Sequence, residues 1–189
     1  MPPTPILNML NTKYFVAGAS KETVLPNVNA NGSAWFVNNI QPVASPDEEL
    51  QQLCLLDTKT TGLIDESKFN VSQTQFNSRG TINLDSYRPK KLVYQSNNDT
   101  KGFAVFSEIY YPHGWVARID GNEVPIFRTN YILRGLEVPA GQHTIEFTFE
   151  PKVYSYGNMI TTVSTLLLVL MIIGTILIEL EVIKPKKTN

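Results

Sequence analysis

The sequence has few of the residues and motifs that mark common enzymes and metalloproteins. Its single cysteine, Cys54, excludes an internal disulfide, so the fold must depend on its apolar core. The two histidines, His113 and His143, have no cysteine near them and no metal-type spacing, and we interpret both as surface or turn residues. A glycine-rich phosphate loop, a nucleophile elbow and an HExxH motif are all missing. We therefore expect no metal, no cofactor and no catalytic residue in this chain.

Basic residues are also too few and too scattered to bind nucleic acid. The chain has 16 Lys and Arg against 17 Asp and Glu, and its formal net charge is -1. No basic block is interleaved with aromatic residues, so nucleic acid is not an expected partner. The residues before Met159 are enough to form one domain with a sizeable core.

The longest apolar run extends from Met159 to Ile178 and contains no charged residue. A helix of about 20 residues is roughly 30 Å long, which matches the apolar core of a bilayer. The alternative, a buried helix of a soluble protein, would normally show a polar face. The sequence therefore predicts one transmembrane helix near the C-terminus, with membrane lipid as a partner.

Charged residues end this run sharply and suggest its orientation. They are Glu179, Glu181, Lys184, Lys186 and Lys187. Short basic flanks tend to remain in the cytoplasm, so we expect a cytoplasmic tail and a large extracytoplasmic part. Tyr154 and Tyr156 precede the run, where amphipathic rings suit the headgroup layer.

The first 20 residues lack the basic segment and the long apolar segment of a secretion signal. An exported domain without such a signal needs another route across the membrane. Our hypothesis is that this chain is the C-terminal piece of a longer multi-pass protein, whose upstream transmembrane helices deliver the domain and remain its partners.

Residues 1–80 predict an α+β part of the extracytoplasmic domain. Residues 5–14 suit a short helix, residues 13–17 suit a buried strand, and residues 34–37 suit another strand. The strongest local signal is Ser45-Pro46-Asp47-Glu48, a capping box that predicts a helix from Pro46 to about Leu55.

The face of this helix that packs on the core is predicted from its apolar spacing. Leu50, Leu53 and Cys54 recur at helical intervals, so we expect Cys54 to be buried. The adjacent acids at the start of the helix suit the helix dipole better than a catalytic or metal cluster.

Residues 81–152 predict an antiparallel β-sandwich or jelly-roll-like part. Short β-type runs are separated by turn residues, and the last run alternates Ile145, Phe147 and Phe149 with polar residues. The predicted strands are Thr81–Leu84, Leu92–Tyr94, Phe103–Phe106, Trp115–Ile119, Val124–Phe127, Ile132–Val138 and Thr144–Phe149. The predicted fold is thus mainly β with short α-helices, followed by a juxtamembrane segment and transmembrane helix at 153–178 and a tail at 179–189.

Several motifs of this second part resemble the C-terminal extracytoplasmic domain and last transmembrane helix of the YfhO-like family of bacterial membrane proteins. The motifs are Ser107–Trp115, Ile119–Gly121, Asn130–Gly135, Val138–Gly141, His143 and Phe147–Pro151, with weaker ones at Leu10–Tyr14 and Tyr87–Pro89. The resemblance covers nearly the whole chain and is specific in its second half.

The resemblance implies a multi-pass protein similar to GT-C glycosyltransferases, which transfer sugars from polyprenyl-phosphate donors to cell-envelope acceptors outside the inner membrane. In such enzymes the catalytic acids lie in loops of the early spans. This chain would then be a non-catalytic portion that helps to bind the acceptor or the lipid-linked sugar. The alternative is a membrane-anchored glycan-binding or adhesion module with no enzymatic parent.

One group of residues is a candidate site for a glycan or a lipid-linked sugar. Its members are Tyr110, Tyr111, Trp115, Arg128, Asn130, Tyr131 and Arg134. Aromatic rings pack on the apolar faces of sugars, and an arginine fork can hold a pyrophosphate. The alternative is structural: Trp115 and one tyrosine fill the core, an arginine pairs with Glu108 or Glu123, and Asn130 caps a turn.

Overall fold

The structure, a computed structural model, describes residues 4–182. Its helices are α1 (Thr4–Met9), α2 (Pro46–Leu53) and α3 (Lys152–Val182). Its strands are β1 (Tyr14–Val16), β2 (Val24–Pro26), β3 (Ala34–Val37), β4 (Asn39–Val43), β5 (Thr61–Asp65), β6 (Gly80–Arg88), β7 (Lys91–Asn98), β8 (Gly102–Ile109), β9 (Trp115–Ile119), β10 (Asn122–Val124), β11 (Phe127–Thr129), β12 (Leu133–Val138) and β13 (Gly141–Phe149). The described residues form two compact units that divide between Phe149 and Glu150.

The first unit is built around two antiparallel sheets that pack face to face, which confirms the predicted β-sandwich. One sheet has the order β10-β9-β13-β7-β6, and the other has the order β11-β12-β8-β3. Tyr94, Phe106 and Phe147 are fully buried between them, and their rings meet edge to face at centroid distances of 4.9, 4.9 and 6.1 Å. Burial of a side chain such as Phe stabilises the fold by about 1.5–3 kcal/mol.

A second core covers the opposite face of the four-stranded sheet. Trp35, Phe103 and Leu133 project into it from that sheet, and side chains of α1, α2, β4 and β5 close it. Strands β4 and β5 pair in parallel, and α2 connects them. Parallel strands need such a crossover, because a tight turn cannot join them. The sequence did not predict this pairing, because β4 contains Pro42 and its apolar and polar residues alternate only weakly.

Helix α2 begins as predicted but turns a different face to the core. The Ser45 hydroxyl accepts a hydrogen bond from the Glu48 N–H at 3.3 Å, which confirms the N-cap. The buried residues are Glu49 and Leu53, whereas Leu50 is 44% exposed and Cys54 is exposed. The prediction of a buried Cys54 is therefore wrong. The polar contacts of Glu49, described below, decide which face is inside.

Two strand predictions near the ends of the sandwich need correction. The predicted buried strand at 13–17 is β1, which pairs only with β2 in a separate ribbon, so Tyr14 and Val16 are 63% and 72% exposed. The single strand predicted from Val124 to Phe127 is divided between β10 and β11, which belong to different sheets. Pro125 lies between them and has no N–H to donate to a ladder.

The turn between β9 and β10 consists of Asp120 and Gly121. Both residues have positive φ, 50° and 84°, as a two-residue hairpin turn of type I′ requires. Asp is one of the few residues other than Gly that tolerate this conformation. The Asp120 side chain accepts a hydrogen bond from the Thr144 N–H of β13 at 2.9 Å, which fixes the turn against the neighbouring strand.

The second unit contains α3, and only Glu150 and Pro151 separate this helix from β13. A 24-residue stretch, Tyr156–Glu179, is long and apolar enough to cross a membrane, and none of it is buried. The hydroxyls of Thr161 and Thr165 donate to carbonyls one turn earlier at 2.9 and 2.8 Å, as polar groups in lipid must be satisfied within the helix. Of the predicted charged tail, Lys184, Lys186 and Lys187 and the side chain of Glu181 lie outside what the structure describes.

Candidate functional site

Three of the predicted site residues line one depression on the surface of the sandwich. Tyr110, Tyr111 and Trp115 provide its aromatic wall, and Glu123 and Pro125 also line it. Its volume is about 210 Å³, smaller than the roughly 300–1,000 Å³ typical of pockets for drug-sized ligands. It is thus suited to one ring-sized group rather than to a large ligand.

The loop from residue 110 to residue 114 forms this wall because it crosses from β8 in one sheet to β9 in the other. The Tyr110 N–H donates to the Ile132 carbonyl at 2.7 Å, and the Tyr110 ring meets the Phe69 ring edge to face at 5.8 Å. Gly114 ends the loop with φ 94°. Tyr110 is thereby held in place, while Tyr111 is 52% exposed and free to contact a ligand.

Arg134 packs against the Trp115 ring of this wall. The Arg134 guanidinium carbon lies 4.1 Å from the centroid of the Trp115 ring, and that ring also packs against Phe149 at 5.3 Å. Arg134 Nε donates to the Ile109 carbonyl at 3.0 Å. Arg134 is only 3% exposed, and its burial lowers the pKa of the guanidinium. Among the described atoms its Nη1 has no hydrogen-bond partner.

Arg128 lies in a different environment, between two buried carboxylates. Its Nη2 donates to Glu49 at 2.9 Å and to Asp65 at 3.4 Å, and its guanidinium carbon lies 5.5 Å from the Tyr131 ring centroid. Burial raises the pKa of Glu49, whereas a hydrogen bond from the Ser67 hydroxyl lowers the pKa of Asp65. Neither Glu108 nor Glu123 pairs with Arg128 in the part of the chain that the structure describes, because the fold brings α2 and β5 to it instead. Glu108 is close enough to Arg134 for their charges to attract, but the two form no ion pair within 4.0 Å among the described residues.

Asn130 and Tyr131 complete this internal cluster. The Asn130 N–H donates to the Leu63 carbonyl at 2.9 Å, and its side-chain oxygen accepts from the Leu63 N–H at 2.8 Å. The Tyr131 N–H donates to Glu49 at 2.6 Å. Both residues have positive φ, 52° and 70°, in the turn between β11 and β12. Asn130 therefore extends the backbone pairing of β5 rather than facing solvent.

The structure thus divides the predicted site into two groups. Tyr110, Tyr111 and Trp115 meet at the surface with Arg134 behind them, whereas Arg128, Asn130 and Tyr131 form an internal cluster. The sequence prediction missed Glu49 and Asp65 as members of that cluster. A usable signal was present, since Glu49 precedes Leu53 by four residues and shares its helix face.

The two histidines have no metal partners in the described part of the chain. No group of three or more His, Cys, Asp or Glu side chains there could hold a metal ion. His143 Nδ1 lies 2.6 Å from a carboxylate oxygen of Asp120, and its Nε2 lies 3.0 Å from the Ala140 carbonyl. The rings of His113 and Tyr111 meet edge to face, with their centroids 5.4 Å apart.

Comparison with known proteins gives one family. The sequence model of the family described as bacterial membrane protein YfhO matches residues 56–161, more than half of the chain. The matched region includes the whole aromatic depression and the beginning of α3 but not Glu49. No curated protein and no solved structure matches the chain.

Proposed function

Because the chain belongs to the YfhO family of bacterial membrane proteins, we propose that it is the non-catalytic C-terminal portion of a multi-pass protein resembling GT-C glycosyltransferases. In this proposal the parent protein transfers a sugar from a polyprenyl-phosphate donor to a cell-envelope acceptor. The sandwich lies outside the inner membrane, the tail lies in the cytoplasm, and upstream spans supply the catalytic carboxylates. The sandwich helps to bind the sugar of the donor or of the acceptor.

The observation that supports this role is the depression lined by Tyr110, Tyr111 and Trp115. Aromatic rings pack on the C–H faces of sugars, and a carboxylate such as that of Glu123 accepts hydrogen bonds from sugar hydroxyls. The size of the depression, about 210 Å³, suits a single sugar ring. Tyr111 is the residue most available to a ligand, since it is 52% exposed.

The arginines have a narrower role than their chemistry alone suggests. Arg128 is already bound to two carboxylates, so it is not available to a pyrophosphate. Arg134 lies beneath Trp115 and supports the ring from behind. We therefore assign sugar recognition to the aromatic wall and support of that wall to Arg134.

The test is calorimetric titration of the full chain in nanodiscs with a polyprenyl-phosphate-linked hexose. Tyr111→Ala should weaken binding by about threefold to tenfold, because a stacked aromatic contact contributes about 0.5–1.5 kcal/mol. Tyr14→Ala is the matched control, since Tyr14 is 63% exposed on β1 and far from the depression in sequence. It should leave the affinity unchanged.

Equal affinity in Tyr111→Ala and the wild type, or no binding by the folded wild type, would overturn the proposal. Binding of a free envelope oligosaccharide without binding of the lipid-linked hexose would favour the alternative of a glycan-binding or adhesion module. Circular dichroism of each variant checks that the sandwich remains folded.

A further inference from the structure

One end of the sandwich is formed by the residues next to the exit of β13. Strand register places Lys91 opposite Thr148 and Trp115 opposite Phe149. The Phe149 N–H also donates to the Lys90 carbonyl at 2.9 Å. The turn between β6 and β7 is therefore bound directly to the last residue of β13. We call this part of the molecule the β13-exit end.

Exposed apolar side chains and free cations occur together at the β13-exit end. Tyr87 is 65% exposed, and Ile109, at the end of β8, is 56% exposed. Arg88 and Lys90 are also exposed, and neither forms an ion pair with another residue in the part of the chain described, 4–182. Amphipathic rings with adjacent cations are the residues that proteins place at the level of lipid headgroups.

The opposite end of the sandwich has a different composition. Its turns contain Asp99 and Asp120, both exposed, together with Gly121 and Asn122. Lys101, also at that end, is paired with Glu137 at 2.6 Å. Arg79 is also exposed at this end, beside Asp99. An anionic surface would repel Asp99 and Asp120 here, whereas it would attract Arg88 and Lys90 at the other end.

The chain also limits how far the β13-exit end can be from the membrane. Only Glu150 and Pro151 lie between β13 and α3, so Phe149 is at most about 11 Å from Lys152 along an extended chain. The stretch able to cross a membrane begins at Tyr156, one helical turn further on. Phe149 is therefore at most about 17 Å from the start of that stretch. A tether this short lets the β13-exit end come within the Debye length of about 8–10 Å over which cations interact with charged lipids.

We propose that the β13-exit end of the sandwich rests on anionic lipid headgroups. Tyr87 and Ile109 lie at headgroup level, and Arg88 and Lys90 bind lipid phosphates. The partner surface is the bilayer that α3 crosses, whichever side of the membrane the sandwich occupies. The inference does not depend on sugar binding.

Headgroup proximity can be measured on the full chain in vesicles of phosphatidylcholine and phosphatidylglycerol. In a Cys54→Ser background, a fluorophore is attached at His113→Cys, next to the β13-exit end, or at Asn122→Cys, at the opposite end. Lipids with a nitroxide on the headgroup quench nearby fluorophores. Quenching should be strong at position 113 and weak at position 122. Equal quenching at both positions would overturn the proposal.

Charge reversal tests the role of the cations. Arg88→Glu combined with Lys90→Glu should lower quenching at position 113 by about twofold or more in the anionic vesicles, since each basic residue near such a surface contributes attraction. The control pair Lys13→Glu and Lys21→Glu makes the same charge change at exposed positions elsewhere and should have no effect. If both pairs act alike, the attraction depends on net charge only and the proposed surface is wrong.

Discussion

One carboxylate oxygen of Glu49 accepts a hydrogen bond from the Arg128 guanidinium at 2.9 Å, across 79 residues of sequence. The other oxygen accepts from the Tyr131 N–H at 2.6 Å. Glu49 is fully buried, and the Arg128 side chain is 16% exposed. Glu49 thereby joins α2 to β11 through Arg128 and to the turn that follows β11 through Tyr131, and so attaches the layer of α2 and β5 to the sandwich.

Removal of the arginine from this pair should destabilise the domain strongly. Arg128→Met leaves the buried Glu49 without its ion-pair partner and leaves the buried Asp65 with only the exposed Lys68, at 3.8 Å. Breaking a buried pair in this way costs about 3–5 kcal/mol. Urea denaturation of the full chain in detergent, followed by tryptophan fluorescence, measures the loss.

The matched control for this change is Arg134→Met. Among the described residues no carboxylate lies within 4.0 Å of Arg134, and Glu108, whose charge it attracts, is only half buried, so the substitution leaves no fully buried anion without an ion-pair partner. Arg134→Met should lower the free energy of unfolding clearly less than Arg128→Met does. Equal losses of unfolding free energy in the two variants would show that leaving Glu49 and Asp65 without Arg128 adds no cost of its own.

The pairing of Asp120 with His143 should make stability depend on pH. The hydrogen bond that Asp120 accepts from His143 raises the pKa of His143 above 6.5, since a protonated ring can donate to both Asp120 and the Ala140 carbonyl. The contribution of protonated His143 to the free energy of unfolding is complete below pH 6.5 and is lost as the pH rises through the pKa of His143 in the folded protein. His143 also lowers the pKa of Asp120 below 3.8, so the carboxylate's contribution is present above pH 3.8 and is lost in stronger acid.

The measurement compares the wild type with His143→Gln in urea denaturation near pH 6 and near pH 9. The free energy of unfolding should differ more between the two proteins near pH 6. A difference that is the same at both pH values would show that the ion pair does not stabilise the fold. His113→Gln is the control, because His113 has no carboxylate within 4.0 Å among the described residues.

A methyl group at Gly135 should also destabilise the sandwich. A Cβ atom there would lie 2.5 Å from the ring of Phe103 and close to the Thr129 hydroxyl, in a region without free space. Such overpacking costs about 1–3 kcal/mol, so Gly135→Ala should lower the midpoint of the thermal unfolding transition. Gly157→Ala, where no atom lies within 4 Å, should leave it unchanged.

Local patterns in the sequence were enough to predict most of the sandwich. Alternation along β13 correctly places Ile145 and Phe147 in the core, and the capping motif correctly starts α2 at Pro46. These features depend on residues close in sequence, because a side-chain period of two and a cap are properties of a single segment.

The buried face of α2 shows where local patterns fail. Apolar spacing favoured Cys54, but the helix buries Glu49, whose partners Arg128 and Tyr131 are about 80 residues away in sequence. A buried carboxylate needs a cation and hydrogen-bond donors, and only the tertiary structure supplies them here.

The candidate site was likewise predicted as one group and found as two. Residue types indicated which side chains could contact a sugar, and this stays a prediction, but strand order decides that Tyr111 faces solvent while Arg128 and Asn130 face β5 and α2. Sequence patterns were sufficient for most strands of the sandwich, the cap of α2 and the apolar run long enough to cross a membrane, because each depends on a short range of residues. The tertiary structure alone decided which polar side chains are paired and which are free, because those pairs form between segments that only the folded chain brings together.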